Sequence, residues 1–388
     1  MTTPMLAGTT VLDLSSVGPA TRASSLLADY GARVVKVAPV PRDAGVQITP
    51  PHYAYSGHRG LERAQFDLKS PDGKDAFLRL AAKADVIIES FRPGVVARLG
   101  IGYDDVQAVN AGIVYCSTSG FGQDGPFAAW AAHDLNYQAM AGVLDCGERA
   151  PGDKPALPGA TFADSAGGGM QAVMAILAAL VRRGTTGEGA YLDVAIVEGV
   201  LSLTSLYIDE YLATGAVPGP GHNILTGRYA CYDTYQCADG AWVAVGAIEP
   251  AFYRNLCRVL GCDEHADGQL DDARQPAIRA AFTAAFASKP RLEWLHAALG
   301  ADTCISPVWS VPDVVDDPQL QARGVFVEAE HPTAGTFRQL GPLLAGMDKT
   351  PRTHAVPDAS VTHTDALLTE AGLRADEVAS LRERGVVA

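Results

Sequence analysis

The sequence predicts a two-domain protein in which a large α/β domain is followed by a smaller α+β domain. Near the N-terminus, an apolar strand (11–16), a helix (18–31) and a second strand (32–37) follow one another closely, and such strand–helix–strand units form parallel sheets. Beyond a Pro- and Gly-rich stretch at 216–221, the pattern changes to alternating strands with a hairpin signal. The 388 residues are enough for two domains with a sizeable core.

The rest of the first domain alternates strands with helices. Pro19 lies in the first turn of the first helix, and Gly31 ends it. Residues 38–63 are rich in Pro, Gly and His and are predicted to form a long loop. The remaining elements are strands at 84–90, 112–120 and 189–196, helices at 74–84, 128–144 and 197–215, and the apolar run after residue 170. No GxGxxG follows the first strand, which disfavours a nicotinamide cofactor.

The second domain centres on a hairpin at 230–247 that turns at Asp239-Gly240. A helix over 248–261 follows and opens with Glu249-Pro250, where a Glu is normally a partner of the helix dipole. Amphipathic helices at the end of the chain are predicted at 363–373 and 374–387. The predicted boundaries are a large domain at 1–200 completed by 325–388, a linker at 201–225 and a small domain at 226–324.

Composition and charge exclude several classes of function. The formal net charge of −14 disfavours nucleic acid as a partner, because the phosphate backbone would be repelled. The N-terminus lacks a basic segment followed by an apolar core, and no apolar run reaches membrane-spanning length without interruption, so we expect a cytoplasmic protein with no membrane insertion. The seven Cys are scattered without metal-ligand spacing, so we expect reduced thiols and no metal.

Asp164, in the stretch ATFADSAGGGM (160–170), is the first candidate for chemistry. Three glycines follow it, and they would allow a ligand to approach the backbone closely at the start of a helix. Acid/base or nucleophilic work on a bound carbonyl compound fits this position, although an Asp before a helix is most often an N-cap. Arg92, just past the end of a predicted strand, is a candidate anion contact or a solvated loop arginine.

His133 and Glu249 complete a set of three ionisable residues on three separate elements. His133 is predicted on the helix at 128–144, where a lone His is usually structural. Moving a proton on and off one carbon with inversion requires a base on one face and an acid on the other. A site for this reaction needs at least two such groups with the ligand between them. The sequence alone does not show whether the three residues lie close together.

Ten stretches resemble the family III CoA-transferase superfamily and, within it, the α-methylacyl-CoA racemases. They run nearly from end to end: VLDLSSVGPAT, LADYGARVVKV, FDLKSPDG, ADVIIESFRPGVVARLGIG, GFGQDGPF, AAHDLNY, FADSAGGG, YDTYQCADGAWVAVGAIEPAFY, DPQLQARGVF and HTDALL. Two of them favour the racemases: HDLNY, which carries a His where most CoA transferases have another residue, and the long stretch that contains Glu249.

The resemblance implies a fold, an assembly and a set of site residues. The fold is a large Rossmann-like, CoA-binding domain with a small domain, in a homodimer of interlocked rings. His133 and Asp164 would transfer the proton on one face of the substrate, and Glu249, from the small domain of the partner subunit, would belong to the opposite face. The residues implied to contact the CoA thioester are Phe66, Asp67, Leu68, Lys69, Ser90, Phe91, Arg92, Arg98, Ala132, Asp134, Leu135, Asn136 and Tyr137.

The implied reaction interconverts (2R)- and (2S)-2-methylacyl-CoA esters through an enolate. No metal or redox cofactor is required, since CoA is part of the substrate and the thioester acidifies the α-hydrogen. A backbone N–H near Asp164 would stabilise the enolate oxygen. In the CoA-transferase alternative, Asp164 is a nucleophile that carries the acyl group as an anhydride. A non-catalytic acyl-CoA-binding protein is the third alternative.

The sequence departs from the racemase pattern in three places. Pro39 stands where racemases have a basic residue after the second strand, and Arg42 is a possible substitute. Ala132 replaces the Gly before the His, and the segment 225–235 is less Gly-rich. These departures concern CoA binding and substrate scope more than the proton transfer.

Overall fold

The structure of the protein is a computed structural model that describes residues 3–40, 52–53, 59–147, 152–358 and 360–388. The chain divides into two compact units. Unit 1 comprises Met1–Ala141, Pro158–Ser205 and Pro318–Ala388, and unit 2 comprises Gly142–Leu157 and Leu206–Asp317.

The division differs from the predicted domains in three places. Residues 318–324, predicted in the small domain, belong to unit 1. Residues 142–157, predicted in the large domain, belong to unit 2. The predicted linker at 201–225 contains the helix Ser205–Thr214, and the Pro/Gly stretch at 216–221 lies inside unit 2. Pro and Gly therefore mark a turn within a unit here and do not mark the boundary between units.

A six-stranded parallel sheet forms the centre of unit 1. Its strands are β1 (Thr10–Asp13), β2 (Arg33–Pro39), β3 (Glu62–Phe66), β4 (Val86–Glu89), β5 (Val114–Ser119) and β6 (Ala190–Ala195). Their spatial order is β3-β2-β1-β4-β5-β6, with every pair parallel. This is the order of the doubly wound nucleotide-binding fold, whose ligand crevice lies at the carboxyl ends of the strands where the order reverses. That reversal lies between β1 and β4.

The helices of this part of the chain differ from the prediction at their ends, in the division of the predicted helices at 128–144 and 197–215 into two shorter helices each, and in two short helices, Val95–Leu99 and Tyr103–Gln107, that were not predicted. In chain order they are α1 (Pro19–Asp29), α2 (Pro71–Ala81), α3 (Val95–Leu99), α4 (Tyr103–Gln107), α5 (Asp134–Met140), α6 (Val143–Cys146), α7 (Gln171–Thr186), α8 (Ile196–Leu203) and α9 (Ser205–Thr214). A π-helix, Ala163–Met170, runs directly into α7.

The edge strand β3 begins at Glu62, inside the region predicted to be a loop (38–63), and extends three residues beyond it to Phe66. Its sequence, ERAQF, has only two apolar residues, and both Ala64 and Phe66 are buried. An edge strand with one buried side and few β-branched residues gives a weak strand signal.

Two hydrophobic cores lie on the two faces of the sheet, because adjacent strand residues point to opposite sides. Leu12 and Ile87 belong to the core that contains α2, whereas Val11 and Ile88 belong to the core that contains α1 and α7. Within the described residues, one helix, Ala163–Thr186, is long and apolar enough by length and composition to cross a membrane. This length was not expected and arises because the π-helix continues into α7, whose buried residues pack in the second of these cores.

Unit 1 is completed by the last part of the chain. Beyond α14 (Pro318–Ala322), the strands β10 (Phe326–His331), β11 (Gly335–Leu340) and β12 (Thr353–Ala355) form a small sheet. The helices α15 (Thr364–Glu370) and α16 (Ala375–Glu383) then pack with α2 in the first core, and Val387 makes a bridge to Phe66.

Unit 2 is α+β, as predicted. Its sheet contains β7 (Tyr232–Gln236), β8 (Trp242–Gly246) and β9 (Ile305–Pro307), all antiparallel, and the predicted hairpin turn at Asp239-Gly240 is confirmed. Its helices are α6, all of α9 but its first residue, α10 (Pro250–Leu260), α11 (Gln275–Phe286), α12 (Arg291–Ala298) and α13 (Val311–Asp316), with 3-10 turns at Ile224–Thr226 and Asp263–His265. These elements enclose a core of their own.

Candidate active site

Asp164 lies inside the first turn of the π-helix, so the interpretation as an N-cap is wrong. The N-cap residue is Phe162, and no side chain caps this helix. The amide N–H of Asp164 donates to Asp134 Oδ1 at 2.8 Å, and the amide of Ser165 donates to the Thr161 carbonyl at 2.9 Å. Both amides already donate hydrogen bonds within the protein. Neither is therefore available to donate to an enolate oxygen, which is the role expected from the sequence for an N–H near Asp164.

The sequence suggested that the three glycines after Asp164 make room for a ligand. In the structure they bring helices together instead. A Cβ at Gly168 would lie 2.5 Å from Pro19 Cβ on α1, and a Cβ at Gly167 would lie 2.8 Å from a Val200 methyl on α8. On α8, a Cβ at Gly199 would lie 1.9 Å from the Gly167 carbonyl oxygen. The π-helix is therefore held directly between α1 and α8, and Asp164 has a fixed position beside the start of α1. Short π segments of this kind occur frequently at functional sites.

His133 was predicted to lie within a helix, but it is the N-cap residue that precedes α5. Its backbone is extended, its amide donates to Asn136 Oδ1 at 3.0 Å, and its side chain is exposed. Just before it, the Ala132 carbonyl accepts the hydroxyl of Tyr137 at 2.9 Å. The ring of Tyr137 is buried against Phe121, with 5.4 Å between the ring centres. Side chains of the same segment thus hold His133 at the surface of unit 1.

The structure brings His133 and Asp164 close enough for their charges to interact. Burial, and next the negative charge of Asp134, raise the pKa of the half-buried Asp164, while Arg22 and His133 lower it. Arg22 also donates to Thr161 Oγ1, one turn before Asp164, at 3.0 Å. A carboxyl group with a raised pKa beside an imidazole is a suitable pair for transferring a proton near neutral pH.

Glu249 lies in unit 2, immediately before α10, and its side chain is exposed. It holds the N-cap position without making a side-chain capping bond. Its charge, after burial, raises the pKa of Cys304 in the same unit. The carboxylate of Glu249 is thus not used to cap its own helix.

The segments implied to contact CoA follow the carboxyl ends of strands in unit 1. Residues 66–69 begin at the end of β3, residues 90–92 follow β4, and residues 132–137 come after β5. The side chains of Lys69, Ser90, Arg92, Arg98, Leu135 and Asn136 are exposed, and those of Asp67, Leu68, Phe91, Ala132 and Asp134 are partly buried. Ligands of doubly wound sheets bind at this edge.

Two of these predicted contacts need correction. Phe66 is 1% exposed, and its ring packs edge-on against Phe77 in the core, so its side chain is unavailable to a ligand. The buried ring of Tyr137, with its hydroxyl bonded to Ala132, supports the segment and does not present a free contact. Pro39 ends β2 with an exposed side chain, and Arg42 lies outside the described residues.

Arg22 and Gln138 belong to the site but were not predicted. Arg22 meets Thr161 across 139 positions of sequence, and Gln138 Nε2 donates to Asp134 Oδ2 at 2.6 Å from a fully buried position. Arg22 lies one helical turn after Pro19, which lies against the glycines at 168–169. This spacing is the one local signal that Arg22 faces the same glycines. Among the described residues, no group of three or more His, Cys, Asp or Glu side chains could hold a metal ion.

Comparisons with known proteins agree on one family. Residues 6–359 match the model of CoA-transferase family III. The chain is 34% identical to alpha-methylacyl-CoA racemase from Homo sapiens over 98% of this chain and 97% of the relative, and 31% identical to acetyl-CoA:oxalate CoA-transferase from Acetobacter aceti over 83% and 85%. The crystal structure of a CAIB/BAIF family protein from Brucella suis superimposes with a TM-score of 0.75 at 28% identity, covering 95% of this chain and 99% of that one. The chain therefore belongs to CoA-transferase family III.

Proposed function

We propose that this protein is a racemase that interconverts (2R)- and (2S)-2-methylacyl-CoA thioesters. The observation that carries the proposal is the pairing of His133 with a half-buried Asp164 whose pKa is raised. The racemase relative, which aligns over almost the whole of both chains, supports the same reaction. Membership of the family accounts for a substrate that is an acyl-CoA thioester.

The chemistry required is the removal and return of one proton. The thioester carbonyl acidifies the α-hydrogen, and His133 with Asp164 exchanges it on one face of the α-carbon. Because burial and Asp134 favour the protonated form of Asp164, this residue can hold the proton that the imidazole exchanges. No step requires a metal ion or a redox cofactor.

The developing enolate oxygen needs a hydrogen-bond donor, and the amide of Asp164 is already bonded to Asp134. The amides of Asp134 and Leu135, directly after His133, have no partner within the residues that the structure describes. They occupy the first turn of α5, whose N–H groups point away from the helix. We therefore assign the stabilisation of the enolate to this turn.

Glu249 serves the opposite face of the substrate in this proposal. It belongs to unit 2, and the resemblance implies that it comes from the other subunit of an interlocked homodimer. Its exposed carboxylate, which makes no capping bond to its own helix, is compatible with that role. Sedimentation of purified protein would test the dimer. Co-expressing chains that carry Glu249→Gln with chains that carry His133→Ala, so that mixed dimers form as the chains fold, would show whether one site uses residues of both chains.

The first test is proton NMR of a 2-methylacyl-CoA ester in D₂O with purified protein. Racemisation predicts loss of the α-proton signal and formation of both epimers without any acceptor acid. His133→Ala should slow the exchange about 10²–10⁴-fold while CoA binding, measured by calorimetry, is retained. His296→Ala, which removes an exposed His from α12 in unit 2, is the matched control and should leave the rate unchanged. Normal exchange by His133→Ala would refute the assignment.

The second candidate function is transfer of CoA between carboxylic acids. The relative from Acetobacter aceti favours it, since a CoA transferase also aligns over most of the chain. Asp164 would then attack the thioester, release CoA as a thiolate and carry the acyl group as an anhydride. This function predicts a new thioester only when an acceptor acid is present, and a covalent adduct on Asp164 that hydroxylamine would trap. Exchange of the α-proton without acceptor decides for the racemase.

A further inference from the structure

The carboxylate of Asp134 links α5 to the π-helix that carries Asp164. Its Oδ1 accepts the Asp164 amide at 2.8 Å, and its Oδ2 accepts Gln138 Nε2 at 2.6 Å. Asp134 is the first residue of α5, and Asp164 follows 30 positions later on another element. One side chain therefore fixes the backbone at Asp164 relative to the helix that begins after His133.

Gln138 is the residue that fixes Asp134. It lies one turn further along α5, is 1% exposed and directs its amide nitrogen at Oδ2. Its own Oε1 is buried and has no hydrogen-bond partner in the described part of the chain. A buried polar atom without a partner is costly, so an apolar side chain of similar length would fill this position more cheaply. The useful feature of Gln138 is thus its donor to Asp134.

The charge of Asp134 acts on Asp164 as well. After burial, this charge is the largest influence that raises the pKa of Asp164, and Arg22 and His133 act in the opposite direction. The donor from Gln138 fixes the orientation of the Asp134 side chain, whose other oxygen accepts the Asp164 amide. The negative charge beside Asp164 is therefore held in place by the same contacts that hold the backbone.

We propose that Asp134, held by Gln138, is a positioning residue that sets both the placement of Asp164 and the charge that surrounds it. This inference rests on the proposed function, in which Asp164 takes part in the proton transfer. It assigns to the side chain of Asp134 a role separate from the contact with the CoA thioester that the resemblance implies. Asp134 acts through Asp164 and does not itself exchange the substrate proton.

The variant Asp134→Asn separates the charge from the hydrogen bond. The Asn oxygen can still accept the Asp164 amide, while the negative charge is lost and the new amide nitrogen faces the donor of Gln138. The double variant Asp134→Asn/Gln138→Glu reverses the polarity of that contact, so the Asn nitrogen donates to the Glu carboxylate and a negative charge is restored one turn away. Gln138→Met removes the donor and leaves both carboxylates in place.

The deciding measurement is the titration of Asp164 in the full chain labelled with ¹³C at the carboxyl carbon of aspartate. The Asp164 signal is identified as the one missing in Asp164→Asn. We expect its pKa above the ordinary range in the wild type, about one pH unit lower in Asp134→Asn, and lower by a smaller amount in Gln138→Met. An unchanged Asp164 titration in both variants would overturn the inference. This readout does not depend on turnover, so it decides even if the wild type proves not to be a racemase.

Kinetics provide the second readout. In Asp134→Asn, the kcat for α-proton exchange should fall about tenfold, and KM should stay within about twofold of the wild-type value. The acidic limb of the profile of kcat against pH should move to lower pH. The double variant should recover most of the loss. Asp124→Asn, which removes an exposed carboxylate from the loop after β5, is the matched control and should behave as the wild type. A wild-type pH profile in Asp134→Asn would also overturn the inference, whereas absence of exchange by the wild type itself would refute only the proposed function.

Discussion

The substitution Glu89→Gln should stabilise the protein above pH 6 and should have little effect in acid. Glu89 ends β4, is 1% exposed, and accepts the amide of Phe91 on Oε2 at 2.7 Å. Burial raises its pKa from 4.5 to about 6, and hydrogen bonds from Ser117 and Phe91 only partly oppose this. The folded protein therefore holds a carboxylate in a place that favours the neutral form.

The sign and size of this change in stability follow from the linkage between protonation of Glu89 and folding. Between pH 4.5 and about 6, the folded state keeps a proton on Glu89 that the unfolded state has released, so stability falls as the pH rises through this window. At 1.36 kcal/mol per pKa unit, the cost above pH 6 is about 2 kcal/mol. A Gln cannot ionise, and its oxygen can still accept the Phe91 amide. The free energy of unfolding of Glu89→Gln should thus exceed that of the wild type by about 2 kcal/mol at pH 8 and by almost nothing below pH 4.5.

Thermal unfolding of both proteins at pH 5, 6, 7 and 8 would measure the effect. A difference of about 2 kcal/mol corresponds to a rise in Tm of about 4–8 °C, since 1 kcal/mol moves Tm by about 2–4 °C in a unit of this size. Glu188→Gln, at an exposed turn before β6, is the control and should show no pH-dependent difference. A difference that is the same at every pH, or a Glu89→Gln variant that is less stable at pH 8, would refute the reasoning.

Three further predictions concern packing, acid stability and substrate binding. Gly199→Ala would place a Cβ 1.9 Å from the Gly167 carbonyl oxygen, so we expect the free energy of unfolding to fall by about 3 kcal/mol or more and α-proton exchange to be lost. The control Gly184→Ala, whose Cβ would have no atom within 4 Å, should be neutral or stabilising by up to about 1 kcal/mol. Equal melting temperatures of the two variants would contradict this prediction. Burial and two nearby arginines lower the pKa of His354 from 6.5 to about 4, so the free energy of unfolding should fall as the pH drops from 6.5 to 4. The variant His354→Gln should lose about 1–2 kcal/mol less than the wild type between pH 7 and pH 4.5, measured as the free energy of unfolding at each pH. Arg92→Ala should raise KM for acyl-CoA about tenfold and leave kcat unchanged, and an unaltered KM would remove Arg92 from the CoA contacts.

Local patterns predicted most of the scaffold. The strands β1, β2, β4, β5 and β6 are apolar runs bounded by turn residues, and the hairpin of unit 2 carries Asp239-Gly240 at its turn. Such signals depend only on neighbours in sequence. The strand β3 was missed because its burial comes from β2 beside it and from the end of the chain, which no local window contains.

The site could be predicted only in part, because its contacts join distant residues. Asp164 and His133 could be chosen as candidates, but the hydrogen bond from the Asp164 amide to Asp134 spans 30 positions and the contact of Arg22 with Thr161 spans 139. For the same reason, the glycines after Asp164 were interpreted as space for a ligand. Their true neighbours, α1 and α8, come from segments on either side of the stretch, and only the folded chain shows that this space is filled.

The order in which the chain is synthesised has a consequence for how this protein folds. The core on one face of the unit 1 sheet contains side chains of α15 and α16, while the Leu206–Asp317 segment of unit 2 is inserted between two parts of unit 1. On a ribosome that adds about 5–20 residues per second, the first strand waits roughly twenty to seventy seconds for these two helices. During this time, one apolar face of the sheet lacks the part of its native cover that α15 and α16 supply. We therefore expect the yield of folded protein to depend on chaperones that shield nascent chains, and to rise when synthesis is carried out at low temperature, because exposed apolar faces associate less strongly in the cold.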